Sequence, residues 1–322
     1  VNSVVYVHPT GRRTYRSDPW LTSYRELLSR GDELEREQPQ RFPSELWQGR
    51  PEDVAVMIQT SGTTGLPKLA MLSHRNFTAM ARKWIAATPI GIGSNWLSIT
   101  PPAWIVDQTW GVGIALTGGL TMNFPETAET VETDFREIGP DVIVSSSRFW
   151  EDLASKIRVK MADAGFVKRK LFGAAERIGQ DAVDREARKE PLPLALRLMR
   201  RAAAALVFRP LMDRVGCLGM KSAYTGGHPI SPEVIRFFRA CGLNLKQCYG
   251  LTEAGGIFQV QPDGEVKPET VGKALPETEV RIAEDQEVLV KSLSNFSGYY
   301  KDYKATEEAY RAGWLRTGDA GY

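Results

Sequence analysis

The sequence predicts an α/β fold, in which mixed or parallel sheets are flanked by helices and a small β subdomain ends the chain. Two observations support this prediction. Short apolar runs rich in β-forming residues alternate with amphipathic segments that begin at capping residues. After Glu265 the pattern changes to short strands and turns, such as 280–282 and 288–290. The chain has 322 residues, 42% of them hydrophobic and 25% charged, which is enough to build a sizeable core.

The first predicted elements lie on either side of a polar loop. Residues 4–7 and 54–58 are apolar and rich in valine, and we expect a strand at each, the second one buried. A helix is expected over 73–87, because Ser73 can cap it and apolar side chains follow at helical spacing, namely Phe77, Met80, Ala81 and Trp84. The polar loop therefore leaves a strand and leads towards a helix.

That loop, residues 60–68, combines two glycines, four hydroxyls and one lysine. Glycines let the backbone approach an anion, N–H groups supply positive potential, and the lysine adds a mobile charge. The composition predicts a phosphate-binding loop. It is not a P-loop, since Pro67 precedes Lys68 and Leu69 follows it, and a P-loop NTPase is disfavoured. A polar surface linker is the alternative interpretation.

Residues 221–250 predict a βαβ unit. We expect a strand at 222–225, a loop, a helix over 234–240 that Ser231 caps, and a second strand at 243–249. Ligands of such sheets collect outside the carboxyl ends of the strands. Gly226 and Thr252 follow two of these ends, and the polar loop follows a third strand. Three loops distant in sequence are therefore expected to converge on one ligand.

The segment 156–214 is basic, although the formal net charge of the whole chain is only +2. It holds fifteen Lys or Arg and seven Asp or Glu, a net charge of +8 that leaves −6 for the remainder. Residues 192–215 alternate apolar and basic side chains, as an amphipathic helical pair broken at Pro210 would. Peripheral contact with anionic membrane lipids is one interpretation, and a solvated helical face packed on the domain is the other. Nucleic acid is disfavoured because no binding motif accompanies the charge.

The cysteines and histidines predict neither a metal site nor a catalytic triad. Cys217, Cys241 and Cys248 are odd in number and lack metal-ligand spacing, which predicts buried thiols in a reducing compartment, the cytoplasm. The three histidines are scattered along the chain. No apolar run reaches the length of about 18 residues that a membrane-spanning helix needs.

Four segments, taken in order, resemble the signatures of the adenylate-forming (AMP-binding) superfamily, which includes acyl-CoA synthetases, luciferases and the adenylation domains of peptide synthetases. Residues 60–68 resemble its phosphate loop and 226–233 its adenine loop. Residues 249–253 resemble the Tyr-Gly-x-Thr-Glu motif and 313–319 the ribose-contacting motif. Residues 271–276 and 298–301 also look like family segments. The resemblance implies the N-terminal core of an adenylate-forming enzyme.

The resemblance further implies activation of a carboxylic acid with ATP, Mg²⁺ and coenzyme A. Lys68 would hold the β- and γ-phosphates, Thr252 the α-phosphate, and these two residues with Glu253 form the catalytic group. Thr60 and Glu253 would bind Mg²⁺. Tyr249 would stack on adenine, and Asp319 would accept hydrogen bonds from the ribose. The full set of implied nucleotide contacts is Thr60, Ser61, Gly62, Thr63, Thr64, Gly65, Lys68, Gly226, Gly227, His228, Tyr249, Gly250, Thr252 and Asp319.

Within the superfamily, the chain looks most like the long-chain fatty acyl-CoA synthetases. The basic segment and the Gly-Tyr-Tyr-Lys of 298–301 carry this resemblance. It implies an apolar acyl pocket, for which the candidates are Trp104, Trp110, Tyr224, Gly255 and Gly256. Trp104 and Trp110 are equally interpretable as core aromatics. Two alternatives for the function are an acyl-AMP ligase that loads a carrier protein and a nucleotide-binding module without catalysis.

The extent of the resemblance predicts the domain organisation. Residues 1–264 would form the nucleotide- and acyl-binding core, and 265–322 the small β subdomain. The family's C-terminal domain, which carries a catalytic lysine, has no counterpart in the sequence, so we expect an incomplete enzyme. Trp104 stands where many relatives carry a histidine, which implies an altered acyl pocket. Residues 285–287 replace a glycine-containing turn, which implies a differently built hairpin.

Overall fold

The computed structural model describes residues 3–8, 18–60 and 67–322. By their contacts, the residues group into two compact units, Val1–Asp53 and Val54–Tyr322. In the first unit, β1 (Val4–Tyr6) pairs in parallel with β2 (Leu21–Ser23), and the helices α1 (Tyr24–Glu37) and α2 (Arg41–Leu46) follow. The strand predicted near the start of the chain is therefore present. The predicted boundary between 264 and 265 stays a prediction.

The second unit holds the remaining strands and helices. Its strands are β3 (Val54–Thr60), β4 (Lys68–Ser73), β5 (Asn95–Leu97), β6 (Thr121–Asn123), β7 (Val142–Ser146), β8 (Ser222–Gly226), β9 (Leu245–Leu251), β10 (Gly256–Val260), β11 (Lys273–Ala274), β12 (Thr278–Ile282), β13 (Glu287–Ser292), β14 (Gly298–Tyr299), β15 (Tyr310–Arg311) and β16 (Trp314–Ala320). Its helices are α3 (His74–Ala87), α4 (Ile105–Asp107), α5 (Ala115–Gly118), α6 (Val131–Ile138), α7 (Ser147–Ala162), α8 (Phe166–Ala187), α9 (Leu194–Ala203), α10 (Arg209–Arg214), α11 (Pro232–Ala240) and α12 (Tyr303–Glu308). Two π-helical segments, Gln108–Ile114 and Ala204–Phe208, and a 3₁₀ turn, Thr252–Ala254, complete it.

Three sheets organise this unit. The largest has seven strands in the order β11-β10-β9-β8-β7-β5-β6, and its segment from β9 to β6 is parallel. A three-stranded antiparallel sheet has the order β14-β4-β3. A four-stranded antiparallel sheet, β12-β13-β16-β15, occupies the end of the chain. The predicted α/β class, with mixed sheets and a small β region at the end, is confirmed.

Separate apolar clusters pack around the large sheet. One contains Trp150 of α7, Phe172 of α8 and Phe237 of α11. Another contains Trp84 of α3 together with Trp96 and Trp110, whose rings stack with centroids 5.0 Å apart. Residues that alternate along β7 and β8 enter both clusters, as expected for parallel strands that are buried on two faces. Helices on both sides of the sheet therefore fix its strand ends in place.

The predicted helix after the polar loop is present as α3. Ser73 caps it through a capping box, in which the Ser73 hydroxyl accepts from the Asn76 N–H and the Asn76 side chain accepts from the Ser73 N–H. The apolar face is buried as predicted at Met80, Ala81 and Trp84. The cap fixes where the helix begins relative to β4, and hence relative to the polar loop.

The prediction of a buried strand at 54–58 is wrong in part. The strand is present as β3, but Val54 and Met57 are each 42% exposed, and Ile58 is the buried residue of the run. The reason is topological: β3 is the edge strand of an antiparallel sheet that packs on the core with one face only, so its alternate side chains face away from the core. Sequence hydrophobicity alone does not distinguish an edge strand from a central one.

The predicted break at Pro210 is also wrong. The helix continues from α9 through the π-helical segment Ala204–Phe208 into α10, with Pro210 in the first turn of α10. Proline in a regular α-helix lacks an N–H donor and clashes with the carbonyl four residues earlier. The wider π turn just before it changes that spacing, so the chain accommodates the proline without ending the helix.

The predicted βαβ unit is confirmed as β8, α11 and β9, with Ser231 at the N-cap of α11. The second strand begins at Leu245, two residues later than predicted. Cys217, Cys241 and Cys248 are buried free thiols, as predicted. Across the described residues, the helices are too short or too polar to cross a bilayer.

Helix α8 lies against α11 at a glycine. A Cβ on Gly179 would stand 2.8 Å from both the Cβ and the backbone oxygen of Ala240, so the contact requires a residue without a side chain. In the same region Arg236 donates to both carboxylate oxygens of Asp184, at 2.8 and 2.5 Å. By contrast, a Cβ on Gly173, also in α8, would meet no heavy atom within 4 Å.

We therefore predict opposite effects for two alanine substitutions in one helix. Gly179→Ala should lower the free energy of unfolding by about 1–3 kcal/mol, because the added methyl overpacks the contact with α11. Gly173→Ala should raise it by about 0.5–1 kcal/mol, because alanine loses less backbone entropy in a helix. Denaturant unfolding of both variants measures this difference. Equal effects of the two substitutions would contradict the close approach of α8 to α11.

Candidate functional site

Several strand ends converge on one cavity of about 840 Å³ in the second unit. The ends of β3, β7, β8 and β9, the first residue of β4 and residues 315–319 of β16 line it. Parallel strands present their carboxyl ends at one edge of a sheet, and this edge is where α/β proteins bind ligands. The loops that follow β8 and β9 line the cavity as predicted, and so do Thr60 and Lys68, while residues 61–66 of the polar loop lie outside the described residues. Of the predicted nucleotide contacts, the cavity lining contains Thr60, Lys68, Gly226, Gly227, His228, Gly250, Thr252 and Asp319, and also Glu253.

The phosphate-loop candidates fall in two groups. Thr60 ends β3 and Lys68 begins β4, and the two are paired across the antiparallel ladder. The candidates Ser61, Gly62, Thr63, Thr64 and Gly65 lie outside the described residues. The Lys68 Nζ stands 5.1 Å from the centre of the Tyr299 ring, within the range of a cation–π contact. The paired strands β3 and β4 therefore place the two ends of the polar loop, Thr60 and Lys68, at the cavity.

Glu253 lies in the 3₁₀ turn that follows β9. Its Oε1 accepts a hydrogen bond of 2.7 Å from the Tyr299 hydroxyl, and its backbone oxygen accepts one of 2.7 Å from the Phe296 N–H. Burial first, and then the hydrogen bond to Glu253, raise the pKa of Tyr299. The tyrosine therefore stays protonated and donates to the carboxylate. Gly255 allows this arrangement, because it has φ +78° and its hydrogen faces the Ser294 oxygen, 2.4 Å from where a Cβ would stand.

Asp319 is exposed and lines the same cavity, near the end of β16. Its Oδ2 accepts a hydrogen bond of 2.5 Å from the Tyr249 hydroxyl, and its N–H donates to the Thr317 hydroxyl at 3.1 Å. Burial, followed by the contact with Asp319, raises the pKa of Tyr249. The Tyr249 ring meets Phe258 edge-on, with centroids 5.0 Å apart. Two residues predicted to contact one nucleoside are therefore direct neighbours.

Glu287 is a site residue that the sequence reasoning missed, because it was considered only as part of a turn. It is 9% exposed and lines the cavity. Its Oε1 accepts from the Gly318 N–H at 3.0 Å, and its Oε2 accepts from the Arg316 Nε at 2.9 Å. These two hydrogen bonds hold the part of β16 that carries Asp319. One sequence signal could have identified Glu287. It is a carboxylate directly before the apolar run 288–290, at a position where a strand does not require a charged residue.

The hairpin at 285–287 is built without glycine. Gln286 has φ +66°, a conformation that glycine usually supplies, and its N–H donates to the Ala283 oxygen at 2.9 Å. The Arg311 guanidinium pairs with Asp285 at 3.1 Å and helps to hold the turn. Although residues 285–287 contain no glycine, β12 and β13 therefore pair in regular antiparallel register.

The structure separates the acyl-pocket candidates. Trp104, 51% exposed, and Gly256 line the cavity together with apolar side chains of β3, α4, β7 and β10, namely Ile58, Ile105, Val106, Val144 and Ile257. Trp110 and Tyr224 are fully buried in the core, where Trp84 contacts both rings. Gly255 lies behind the cavity wall against Ser294. Part of the cavity wall is therefore apolar, and the charged groups Lys68 and Glu253 line the same cavity.

The described residues offer few protein ligands for a metal ion. Within the described ranges, no group of three or more His, Cys, Asp or Glu is arranged to hold a metal. The two predicted metal ligands, the Glu253 carboxylate and the Thr60 hydroxyl, line the same cavity as Lys68. Mg²⁺ is usually bound through one or two carboxylates, substrate phosphates and water rather than by a protein cage. The residues present fit an ion that enters with a phosphate ligand.

Comparisons with known proteins agree with this geometry. A family model described as AMP-binding enzyme matches residues 11–300. The long-chain-fatty-acid–CoA ligase FadD15 of Mycobacterium tuberculosis is 31% identical over 274 residues, which are 84% of this chain and 45% of that protein. The peroxisomal long chain acyl-CoA synthetase 7 of Arabidopsis thaliana is 28% identical over 322 residues, 94% of this chain and 43% of that protein. The chain spans less than half the length of these curated relatives.

Solved structures show the same fold. An inhibitor-bound N-terminal domain of FACL13 from Mycobacterium tuberculosis matches 99% of this chain and 71% of its own, with a TM-score of 0.63 and 18% identity. The o-succinylbenzoate coenzyme A synthetase MenE of Bacillus subtilis, in complex with AMP, matches 85% of this chain and 48% of its own, with a TM-score of 0.61 and 19% identity. At these identities the likeness is one of fold, and it confirms the predicted fold.

Proposed function

The chain belongs to the AMP-binding enzyme family, and on this premise we propose that it forms the core of a ligase that converts a carboxylic acid to an acyl-CoA. A carboxylate oxygen attacks the α-phosphorus of ATP, the bond to the β-phosphate oxygen breaks, and pyrophosphate leaves. The thiol sulfur of coenzyme A then attacks the carbonyl carbon of the acyl-adenylate, gives up its proton, and AMP leaves. The observation that supports this most directly is that Lys68, Thr252 and Glu253 share a cavity with Asp319.

The arrangement suits the electrostatic difficulty of the first step. An anionic carboxylate must approach a polyanion, so the site needs fixed positive charge and hydrogen-bond donors more than a general base. Lys68 would bind the β- and γ-phosphates as a point charge, and the Thr252 hydroxyl would donate to the α-phosphate. Asp319 would accept from the ribose hydroxyls after Tyr249 releases its carboxylate. Gly226, Gly227 and His228 would contact the adenine.

Glu253 and Thr60 would hold the Mg²⁺ that accompanies ATP. When bound, this ion would neutralise phosphate charge as the α-phosphorus is attacked. The chain's own contribution is to orient the carboxylate: the Tyr299 hydroxyl donates to Oε1, and no described residue donates a hydrogen bond to Oε2. Coenzyme A would enter as the second substrate. The described residues of this chain would bind the nucleotide and the carboxylic acid.

The acid is proposed to be a long-chain fatty acid. The relatives that match over most of this chain bear long-chain acyl names, and the cavity has an apolar wall that includes Trp104 and Gly256. Burying a methylene contributes about 0.8 kcal/mol, so such a wall favours long acyl chains over short ones. Transfer to a carrier protein and nucleotide binding without catalysis are the competing functions.

The test of this proposal is ATP–pyrophosphate exchange with a panel of acids from acetate to long fatty acids, aryl acids and amino acids. The natural full-length gene product should catalyse exchange that is stimulated most by the long fatty acids. Coenzyme A and an acyl carrier protein, offered in turn, then identify the thiol acceptor. A folded protein that binds ATP but exchanges pyrophosphate with no acid would favour the non-catalytic module instead.

Two substitutions test the assigned residues. Lys68→Ala and Glu253→Gln should each lower the exchange rate about 100-fold, because one removes charge from the phosphates and the other weakens the metal site. Lys267→Ala and Glu269→Gln make the same chemical changes at exposed positions outside the cavity and should leave the rate within about twofold. Wild-type rates in both cavity variants would refute the assignment.

The basic segment supports a second proposal, peripheral contact of a cytoplasmic protein with anionic membrane. Apolar side chains of this segment are exposed beside its basic ones: Phe166 is 66%, Leu194 73% and Leu206 76% exposed. Arg197 and Arg201 lie on the exposed part of α9. Apolar side chains flanked by Lys or Arg are the composition of helices that lie on anionic lipid surfaces.

Vesicle sedimentation checks this proposal. Binding should require phosphatidylglycerol in phosphatidylcholine vesicles, and the double substitution Arg197→Glu, Arg201→Glu should weaken it at least tenfold, since each basic residue near the surface contributes about 1 kcal/mol. The matched control, Lys267→Glu with Lys291→Glu, changes charge equally outside the segment and should bind normally. Equal binding by both double variants would favour a solvated face packed on the domain.

A further inference from the structure

One side chain contacts both of the charged groups assigned to the phosphates and the metal. The Tyr299 hydroxyl donates to Glu253 at 2.7 Å, and the Tyr299 ring lies 5.1 Å from the Lys68 Nζ. Lys68 and Glu253 have opposite charges and face the same cavity, yet their contacts in the described part of the chain are to Tyr299 and not to each other. A direct ion pair would consume the charge that each group needs for its ligand.

We propose that Tyr299 is a positioning residue, which holds the Glu253 carboxylate ready for a divalent cation and keeps the Lys68 ammonium apart from it. This inference rests on the proposed function, since it concerns how the same cavity receives a metal-bound triphosphate. It assigns a role to the Gly-Tyr segment 298–299, which the nucleotide assignments leave without one.

The backbone of Tyr299 is tied to the strand that carries Lys68. β14 pairs with β4, and Tyr299 lies opposite Ala70, two residues from Lys68. The Tyr299 N–H donates to the Thr306 hydroxyl at 2.9 Å. Gly298 has φ +128° and lies so close to Thr306 that a Cβ would stand 2.7 Å from its methyl carbon. The pairing with β4, the hydrogen bond to Thr306 and the close approach of Gly298 to Thr306 together fix the position of Tyr299.

The turn that carries Glu253 is held by the same segment. The Phe296 N–H donates to the Glu253 oxygen at 2.7 Å, and the Phe296 ring meets the Tyr299 ring edge-on, with centroids 4.8 Å apart. The Asn76 side-chain amide donates to the backbone oxygens of Leu293 and Asn295, both at 2.8 Å. The segment 292–299 is thus anchored to α3 on one side and to the Glu253 turn on the other.

The hydrogen-bond geometry of the Tyr299 hydroxyl suits this role. The hydroxyl donates to one oxygen of Glu253 and fixes the orientation of the other. Hydrogen bonds of this kind to metal-binding carboxylates typically change metal affinity 10–100-fold.

The test is the Mg²⁺ dependence of nucleotide binding, measured by calorimetric titration of the full-length gene product with a non-hydrolysable ATP analogue. Tyr299→Phe keeps the ring and loses the hydroxyl, and should raise the Mg²⁺ concentration for half-maximal binding about tenfold. Tyr299→Leu also loses the ring and should in addition weaken binding without Mg²⁺. The matched control is Tyr300→Phe, the same change at the next residue, which is 43% exposed and outside the cavity lining; it should bind as the wild type does.

A double variant separates positioning from a general structural effect. In the Glu253→Gln background, Tyr299→Phe should have no further effect on the Mg²⁺ requirement, because the hydroxyl acts through the carboxylate. Independent effects of the two changes, or an unchanged Mg²⁺ requirement in Tyr299→Phe, would overturn the inference. If Tyr299→Phe does not fold, Thr306→Val removes the acceptor of the Tyr299 N–H from outside the cavity, and an unchanged Mg²⁺ requirement there would overturn it equally.

The proposed function fails in a different way. If Lys68→Ala and Glu253→Gln both bind the ATP analogue with the wild-type Mg²⁺ requirement, the site assignment itself is refuted, whatever Tyr299 does. If those two variants lose binding while Tyr299→Phe matches the wild type, the site stands and only the positioning role is lost.

Discussion

The antiparallel pairing of β14 with β4 is the contact on which the site depends. It brings Tyr299 beside Ala70 in the strand that begins at Lys68, although more than 200 residues separate them in the sequence. Through Tyr299 and Phe296, the same segment reaches Glu253. The pairing links the strand that begins at Lys68 to the turn that carries Glu253, and a triphosphate needs both groups at once.

Close backbone approaches make the cavity possible. A Cβ on Gly250 would stand 2.2 Å from the Gly256 oxygen, and one on Gly226 would stand 2.8 Å from the Cys248 Sγ. Both glycines line the cavity and both belong to the motifs that resemble nucleotide-binding signatures. Because these glycines have no side chains, the neighbouring strand can pack closely against them, and a ligand can also reach the backbone. Burial raises the pKa of the Cys248 thiol to about 12, so it behaves here as a small packing residue.

Much of this organisation could be predicted from the sequence, because it follows from local patterns. The cap at Ser73, the βαβ unit and the strand-end loops all depend on residues close together in the chain. The edge position of β3 and the π turn before Pro210 could not be predicted, since they depend on which elements lie alongside. Tyr299 and Glu287 were missed for the same reason: their partners, Glu253 and Gly318, lie about 30 to 45 residues away, and spacing alone does not indicate the contact.

The measurement that tests the central claim most directly is a crystal structure of the protein with a non-hydrolysable acyl-adenylate analogue. The account predicts that the ribose hydroxyls contact Asp319 in place of the Tyr249 hydroxyl. The linker that replaces the α-phosphate should lie near Thr252, on the side of the cavity that carries Lys68 and Glu253, and the acyl chain should lie along the wall that includes Trp104. An analogue bound outside this cavity, or bound in it with its ribose far from Asp319, would contradict the account.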